Sequence, residues 1–277
     1  MMRVQSALVA VAKRCIDTTP VLYRPACNTL KTTFFLKNCL LFSLYQAFDS
    51  LPPTLSASGQ DKWVIDVFQG KRAGFFLDLG AADGFSESNT FILEKRLGWT
   101  GICIEPNPKL HDRLLNKSRR SCMCVSDPID AQMHEVEYVM SGVESGLVGH
   151  DTDNNVAKKR DQIEKARRVG SVARMQTRPL ADVLDKCNAP KVIDYFSFDV
   201  EGAETRILRN FPFDRYTFLA MTIERPTSEL NRLLFSNGYH FVRNSLYDTF
   251  FIHETIPNFA SIERRPFEQQ PPKPWLV

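Results

Sequence analysis

Hydrophobic positions in this chain gather into short unbroken runs separated by helical stretches, the pattern of a buried parallel sheet wrapped by helices. Phe75–Leu79 is the first such run and closes on Gly80. Ser86–Leu97 predicts a helix, with Gly98 placed where a helix end favours glycine. Gly101–Glu105 predicts a second strand stopped by Pro106 and Pro108, Lys109–Lys117 a helix, and Cys122–Val125 a third strand. This β-α-β-α-β order is half of a doubly wound sheet. Alternation resumes with a helix over Pro179–Lys186, a strand over Val192–Val200 and a helix over Ala203–Arg209. A strand at Phe218–Ile223 and a helix at Ser228–Asn237 follow, and Tyr239–Arg243 with Phe250–His253 predict a closing antiparallel pair. The expected fold is a Rossmann-like α/β, doubly wound, mostly parallel seven-stranded sheet with an antiparallel last strand.

Three stretches depart from this pattern. Residues 132–150 alternate over Glu135–Met140 and then turn at Ser141-Gly142 and Ser145-Gly146, which predicts a hairpin-like insertion. Ala157–Arg178 holds eight basic and two acidic residues. It reads as a solvated helix or mobile loop, with a lid over an anionic substrate as the functional alternative. Residues 1–59 show no sustained period and end in Leu51-Pro52-Pro53, Ser56, Ser58 and Gly59, a linker. The expected organisation is an extension and linker over 1–59, a body over 60–260 and a Pro-rich tail over 261–277. In that tail Pro266, Pro271, Pro272 and Pro274 favour extended or disordered chain.

Composition narrows the function. The 277 residues are 43% hydrophobic and 24% charged, ordinary for a globular protein. Of the 35 basic and 32 acidic residues, six basic and two acidic lie in residues 1–60, so the body is near neutral. A near-neutral body lacks the electrostatic footprint of a nucleic-acid binder. Ser6–Ala12 is too short for a signal-peptide core. Phe34–Phe48 is too short and too polar, at Lys37 and Asn38, for a bilayer span of about 20 residues. Membrane association is not supported. The default placement is cytoplasmic, with a mitochondrial or secretory route left open through residues 1–50. Seven cysteines without a C-x-x-C and five histidines without an H-x-x-x-H give no expectation of a metal site.

In open α/β sheets the ligand lies beyond the carboxyl ends of the strands. Here those ends carry Asp78 with Asp83, then Glu105, Asp127, Asp199 with Glu201, and Glu224. Five acidic strand ends in succession suit a ligand rich in hydroxyls and amines, or one that carries positive charge. Counted from Gly80, the G-x-G-x-x-G of a dinucleotide site would need glycine at Ala82 and Phe85, and no G-x-x-x-x-G-K-[ST] occurs. The turn instead has the D-x-G-x-x-x-G form, Asp78 to Gly84, associated with S-adenosylmethionine. That cofactor carries a sulfonium cation and no phosphate, so nearby carboxylates favour it. Glu105, 21 residues beyond Gly84, stands where a carboxylate accepts both ribose hydroxyl protons.

Phe75–Gly84, with Ser88-Asn89-Thr90 and Leu93-Glu94-Lys95, resembles the FkbM-type methyltransferase family, as do Gly98–Pro108 and Asp199–Glu204. The resemblance covers roughly residues 61–255, and Ala82 stands where many members carry Asn. It implies a class I methyltransferase sheet, S-adenosylmethionine as donor, and O-methylation of a hydroxyl on a small molecule or glycan. Its relatives include trafficking proteins without evident methyl transfer, so a catalytically silent binding protein is the alternative. The cofactor-binding candidates are Asp78, Gly80, Ala81, Asp83, Gly84, Ser88, Asn89, Glu105, Pro106 and Asp127. The candidates for proton removal are Asp199 and Glu201, with Glu224 and His253 weaker.

Overall fold

Strand β1 (Phe75–Leu79) lies at the centre of the sheet, paired in parallel with β2 (Thr100–Ile104) on one side and β8 (Val192–Phe198) on the other. The computed structural model describes residues 33, 36–45, 51–119 and 121–271. Outward from β2 runs β3 (Met123–Val125). Outward from β8 run β9 (Thr217–Glu224), β11 (Asp248–His253) and β10 (Tyr239–Ser245). β11 is antiparallel to both its neighbours, and all pairs from β3 to β9 are parallel. The seven strands and the antiparallel last strand agree with the sequence expectation.

Side chains alternate across the sheet with the period of two that a strand imposes. Leu77, Leu79, Ile102, Ile104, Phe196, Phe198, Met221 and Ile223 fill one face. Phe76, Cys103, Tyr195, Ala220, Phe250 and Ile252 fill the other, under Trp63, Val64 and Leu93 from helices α1 (Gln60–Val67) and α2 (Phe91–Leu97). Each aromatic or aliphatic side chain so buried contributes roughly 1.5–3 kcal/mol. The remaining helices are α3 (Pro108–Arg113), which runs on into a π turn at Leu114–Ser118, α4 (Arg160–Arg168), α5 (Leu180–Lys186), α6 (Glu204–Leu208) and α7 (Ser228–Ser236).

The insertion is larger than a hairpin. β4 (Glu135–Val139) pairs with β5 (Gly146–Gly149), as its alternation predicts, and also with β7 (Val172–Gln176), while β6 (Asn154–Asn155) extends β5. The basic segment 157–178 therefore holds a nine-residue helix, α4, and a five-residue strand, β7. Its alternation of Val172, Arg174 and Gln176 with Ala173 and Met175 is the period of a strand in a small, one-sided sheet. The helix that follows β1, α2, is shorter than expected, starting at Phe91, because Asp83 and Ser88 hold the preceding residues in turns.

The chain divides into two units, Met1–Pro52 and Pro53–Val277. In the first, residues 36–45 are helical; Ser6–Ala12, Cys15, Cys27 and most of the basic start lie outside the described residues. No helix among the described residues is long and apolar enough to cross a membrane. In the second unit the linker residues Leu55 and Ser56 bond the buried Asp61 of α1. The described tail carries no regular element, and the Gln269 and Gln270 side chains donate to the Pro226 and Leu246 carbonyls. Pro272 and Pro274 lie outside the described residues.

Candidate functional site

Strand order reverses between β1 and β8, and a crevice belongs at such a switch point. The segments that follow these two strands meet there: a Cβ on Gly80, at φ 92°, would lie 1.8 Å from the Asp199 carbonyl oxygen, so only glycine fits. Ala82 and Glu87, and then Glu201 and Arg225, also take positive φ after the ends of β1, β8 and β9. Non-glycine residues persist in that region only where their surroundings over-determine them, and such positions cluster at functional sites.

Glu105 ties the ends of β1 and β2 together. Its carboxylate is 4% exposed; Oε2 accepts the Ala82 N–H at 3.0 Å and Oε1 the Asn107 N–H at 2.7 Å. Desolvation pushes its carboxyl up to about 7, against the pull of those two amides. Asp83 holds the turn from within, its Oδ1 accepting from the Phe85 and Ser86 amides and its Oδ2 from the Ser86 hydroxyl. Pro106 is buried beside Glu105. Asn89 donates to the Ser197 hydroxyl of β8 at 3.0 Å, and Ser88 Oγ accepts the Phe91 N–H at the start of α2. Asp127 is ion-paired with Arg178 at 2.9 Å.

Asp78 faces the opposite side of β1, towards a residue that sequence reasoning missed. Arg119 is wholly buried, and its guanidinium donates to the Gly84 carbonyl (2.9 Å), Glu94 Oε2 (2.8 Å), Ser88 Oγ (2.8 Å) and Thr90 Oγ1. Thr90 in turn donates to Asp78 Oδ2 at 2.5 Å, and Arg119 lies 3.6 Å from the same oxygen. Five groups from the turn and α2 thus converge on one cation that fixes the glycine turn from behind. Arg119 holds Glu94 well down, to about 2, whereas desolvation outweighs it at Asp78 and raises that carboxyl. No spacing signal ties Arg119 to partners that precede it by 25 residues or more.

Carboxylates crowd the ends of β8 and β9. Asp199 is exposed at the end of β8, while Glu201 and Glu224 are half-buried. Glu204 is buried and holds the intervening loop, its Oε1 accepting from the Val200 and Gly202 amides at 3.0 and 3.3 Å. Desolvation, with the Glu224 charge second, pushes it up to about 7. Oxygens of Asp153, Glu201 and Glu224, and again of Asp199, Glu204 and Glu224, lie within 4.8 Å of one another, a spacing at which carboxylates can share a cation. Asp153 comes from the insertion and was not legible from the strand-end pattern; its N–H donates to the Glu201 carbonyl at 2.8 Å. The insertion also brings in Tyr138 of β4, 5% exposed, whose phenol is raised by burial first and then by the charges of Glu105 and Glu201. Asn107 donates to Ser145 Oγ, fastening the insertion to the end of β2. His253 stands apart, bonded to Thr255 and the Asn237 carbonyl.

The doubly wound sheet, its switch point and the glycine turn are those of a methyltransferase-type α/β protein. Residues 78–241 match the family model described as the methyltransferase FkbM domain, more than half of the chain, and the chain belongs to that family. No curated protein matches the sequence. Among solved structures, a precorrin-6y C5,15-methyltransferase from Geobacter metallireducens shares 11% identity, with 73% of this chain and 91% of that one covered at a TM-score of 0.39. A fibrillarin/Nop5p complex shares 13% identity, with 72% and 79% covered at a TM-score of 0.34. These overlaps are too loose to carry a role from either protein to this chain.

Proposed function

We propose that the chain transfers a methyl group from S-adenosylmethionine to a hydroxyl on a small molecule or sugar. Glu105 is the observation that carries this reading. It is a buried carboxylate at the end of β2 whose oxygens each accept one backbone amide and each keep a further lone pair. Such an acceptor, facing a turn closed to any residue but glycine at Gly80, suits a ribose diol. The surrounding acids suit a cation. Glu105 and the Gly80–Gly84 turn, with Ala81 and Pro106, would hold the cofactor. Asp78, Asp83, Ser88 and Asn89 keep that turn in shape.

When bound, S-adenosylmethionine supplies an electrophilic methyl group on a sulfonium. The chain's own task is then to align the acceptor oxygen and remove its proton. Asp199 is exposed at the end of β8 and takes the role of base, with Glu201 and Glu224 beside it; Glu204 holds the loop that aims them. The basic excess on α4 is confined to the insertion, so the partner is a small molecule or glycan rather than nucleic acid.

The test is incubation of the full chain with methyl-labelled S-adenosylmethionine and a polar metabolite extract. A labelled product stable to mild base, as a methyl ether is and a methyl ester is not, is the expected result. No labelled product across extracts, despite cofactor binding, would favour the silent binding protein.

A further inference from the structure

Between α4, the end of β4 and the turn that follows it, the insertion forms an open cavity of about 290 Å³. That is the small end of the range for ligand pockets, enough for one or two rings or a short chain with a polar group. Val139, Met140, Ile163 and Val169 form an aliphatic wall, and Lys159 and Lys165 bring two ammonium groups against the single carboxylate of Glu144. Neither lysine has a carboxylate partner among the described residues, although Arg167 on the same helix is paired with Glu137 and Glu164.

A third feature points to a ligand. Asn154 lines the cavity, is 7% exposed, and its Nδ2 has no acceptor among the described residues. Buried side-chain donors in folded proteins are nearly always satisfied, so this one awaits an oxygen. Its position is informative, because a Cβ added to Gly146 would lie 3.0 Å from Asn154 Nδ2 and 3.1 Å from Glu201 Cβ. The polar end of the cavity therefore abuts the acidic strand end at Glu201.

We propose that this cavity is the acceptor subsite and that it takes a small organic anion. A ring or short chain would lie on the aliphatic wall, a carboxylate, sulfate or phosphate against Lys159 and Lys165, and an oxygen against Asn154 beside Glu201. The acceptor role rests on the methyl-transfer reading; the anion site stands on the cavity alone. It also assigns work to the basic excess of residues 157–178, which the cofactor half of the site leaves unused.

The probe is 6-hydroxy-2-naphthoate, which combines a ring system, a carboxylate and a hydroxyl, followed by its fluorescence with the full chain. 2-Naphthol serves as the uncharged control. Saturable binding at one site is expected, weakened about tenfold or more both by the double reversal Lys159→Glu/Lys165→Glu and by Ala166→Trp, which fills the cavity. 2-Naphthol should bind weakly and ignore the charge reversal. Calorimetry with S-adenosylmethionine on the same variants should show unchanged cofactor affinity. Naphthoate binding that is indifferent to the reversal and to the filled cavity, with cofactor binding intact, overturns the anion site by itself. Charge-dependent naphthoate binding in a chain that gives no heat with S-adenosylmethionine overturns the acceptor assignment through the reading beneath it. The lysines lie at or near the surface, so their reversal remains a readable arm if Ala166→Trp fails to fold.

Discussion

The two sheets of this protein solve different problems. In the seven-stranded sheet β1 and β8 are buried along nearly their whole length, and their ends present glycine, backbone amides and carboxylates in conformations that only dense packing can maintain. In the four-stranded sheet no residue of β7 is buried, and its helix α4 buries only Ile163. On the proposed reading, the cofactor needs the first kind of support, since the turn that would hold it is strained. A substrate contact needs only a cover whose charge and shape can change without unfolding the protein. On the proposed reading, the difference teaches that burial and chemistry are partitioned: the large sheet would build the site and the small one would close over it.

The largest expected effect tests that partition at its border. Asp199→Asn keeps shape but removes the proposed base, and with a true acceptor the transfer rate should fall by ~10²–10⁴-fold while cofactor affinity moves little. A matched loss of both would move Asp199 into the cofactor half. Next comes the support behind the glycine turn. Arg119→Met leaves Asp78 buried without its cation and Glu94 with Lys95 alone, and should cost about 3–5 kcal/mol of stability by denaturant titration. Arg168→Ala, an equal loss of charge on exposed α4, should stay within about 0.5 kcal/mol. Equal costs for the two would erase the contrast.

Glycines sharpen it further. Gly170→Ala meets open space at φ 69° and should cost only the left-handed strain of about 1 kcal/mol. Gly80→Ala adds a collision with the Asp199 backbone to the same strain, so thermal melting should separate the two clearly, Gly80→Ala being the worse.

The smallest effect is a pH dependence. Glu105 and Glu204 are pushed up to about 7 in the folded chain, from an ordinary value of 4.5. Between those values the native state holds protons that the unfolded chain has released, so these two groups make stability fall as pH rises through that window. Glu94, held down to about 2, acts oppositely: its contribution is present above 4.5 and is lost as pH falls towards 2. Glu204→Gln should flatten the decline between pH 5 and 7.5 in melting experiments. An unchanged slope would mean that Glu204 is ionised throughout.

Most of the large sheet was legible because buried parallel strands are unbroken apolar runs, and Gly80, Glu105 and Asp199 could be placed from the strand ends alone. The small sheet was less so. β4 betrayed itself by alternation, but the same alternation in β7 was masked by the surrounding basic residues, whose charge suggested a loop. The partners of the site escaped for a different reason. Arg119 acts through groups at Asp78, Gly84, Ser88, Thr90 and Glu94, and Asp153 reaches Glu201 from an insertion nearly fifty residues earlier. Such contacts follow from tertiary packing and leave no local period.

Calorimetric titration of the full chain with S-adenosylmethionine, beside Glu105→Ala, tests the central claim most directly. The charge-assisted hydrogen bonds to Glu105 are worth roughly 1.5–3 kcal/mol each, so saturable binding should weaken about tenfold or more in a variant that still melts cooperatively. Affinity in the wild type should also rise between pH 6 and 8 as Glu105 ionises, and Glu105→Gln should abolish that rise. No heat with the wild type, or equal affinity in a folded Glu105→Ala, would contradict the account.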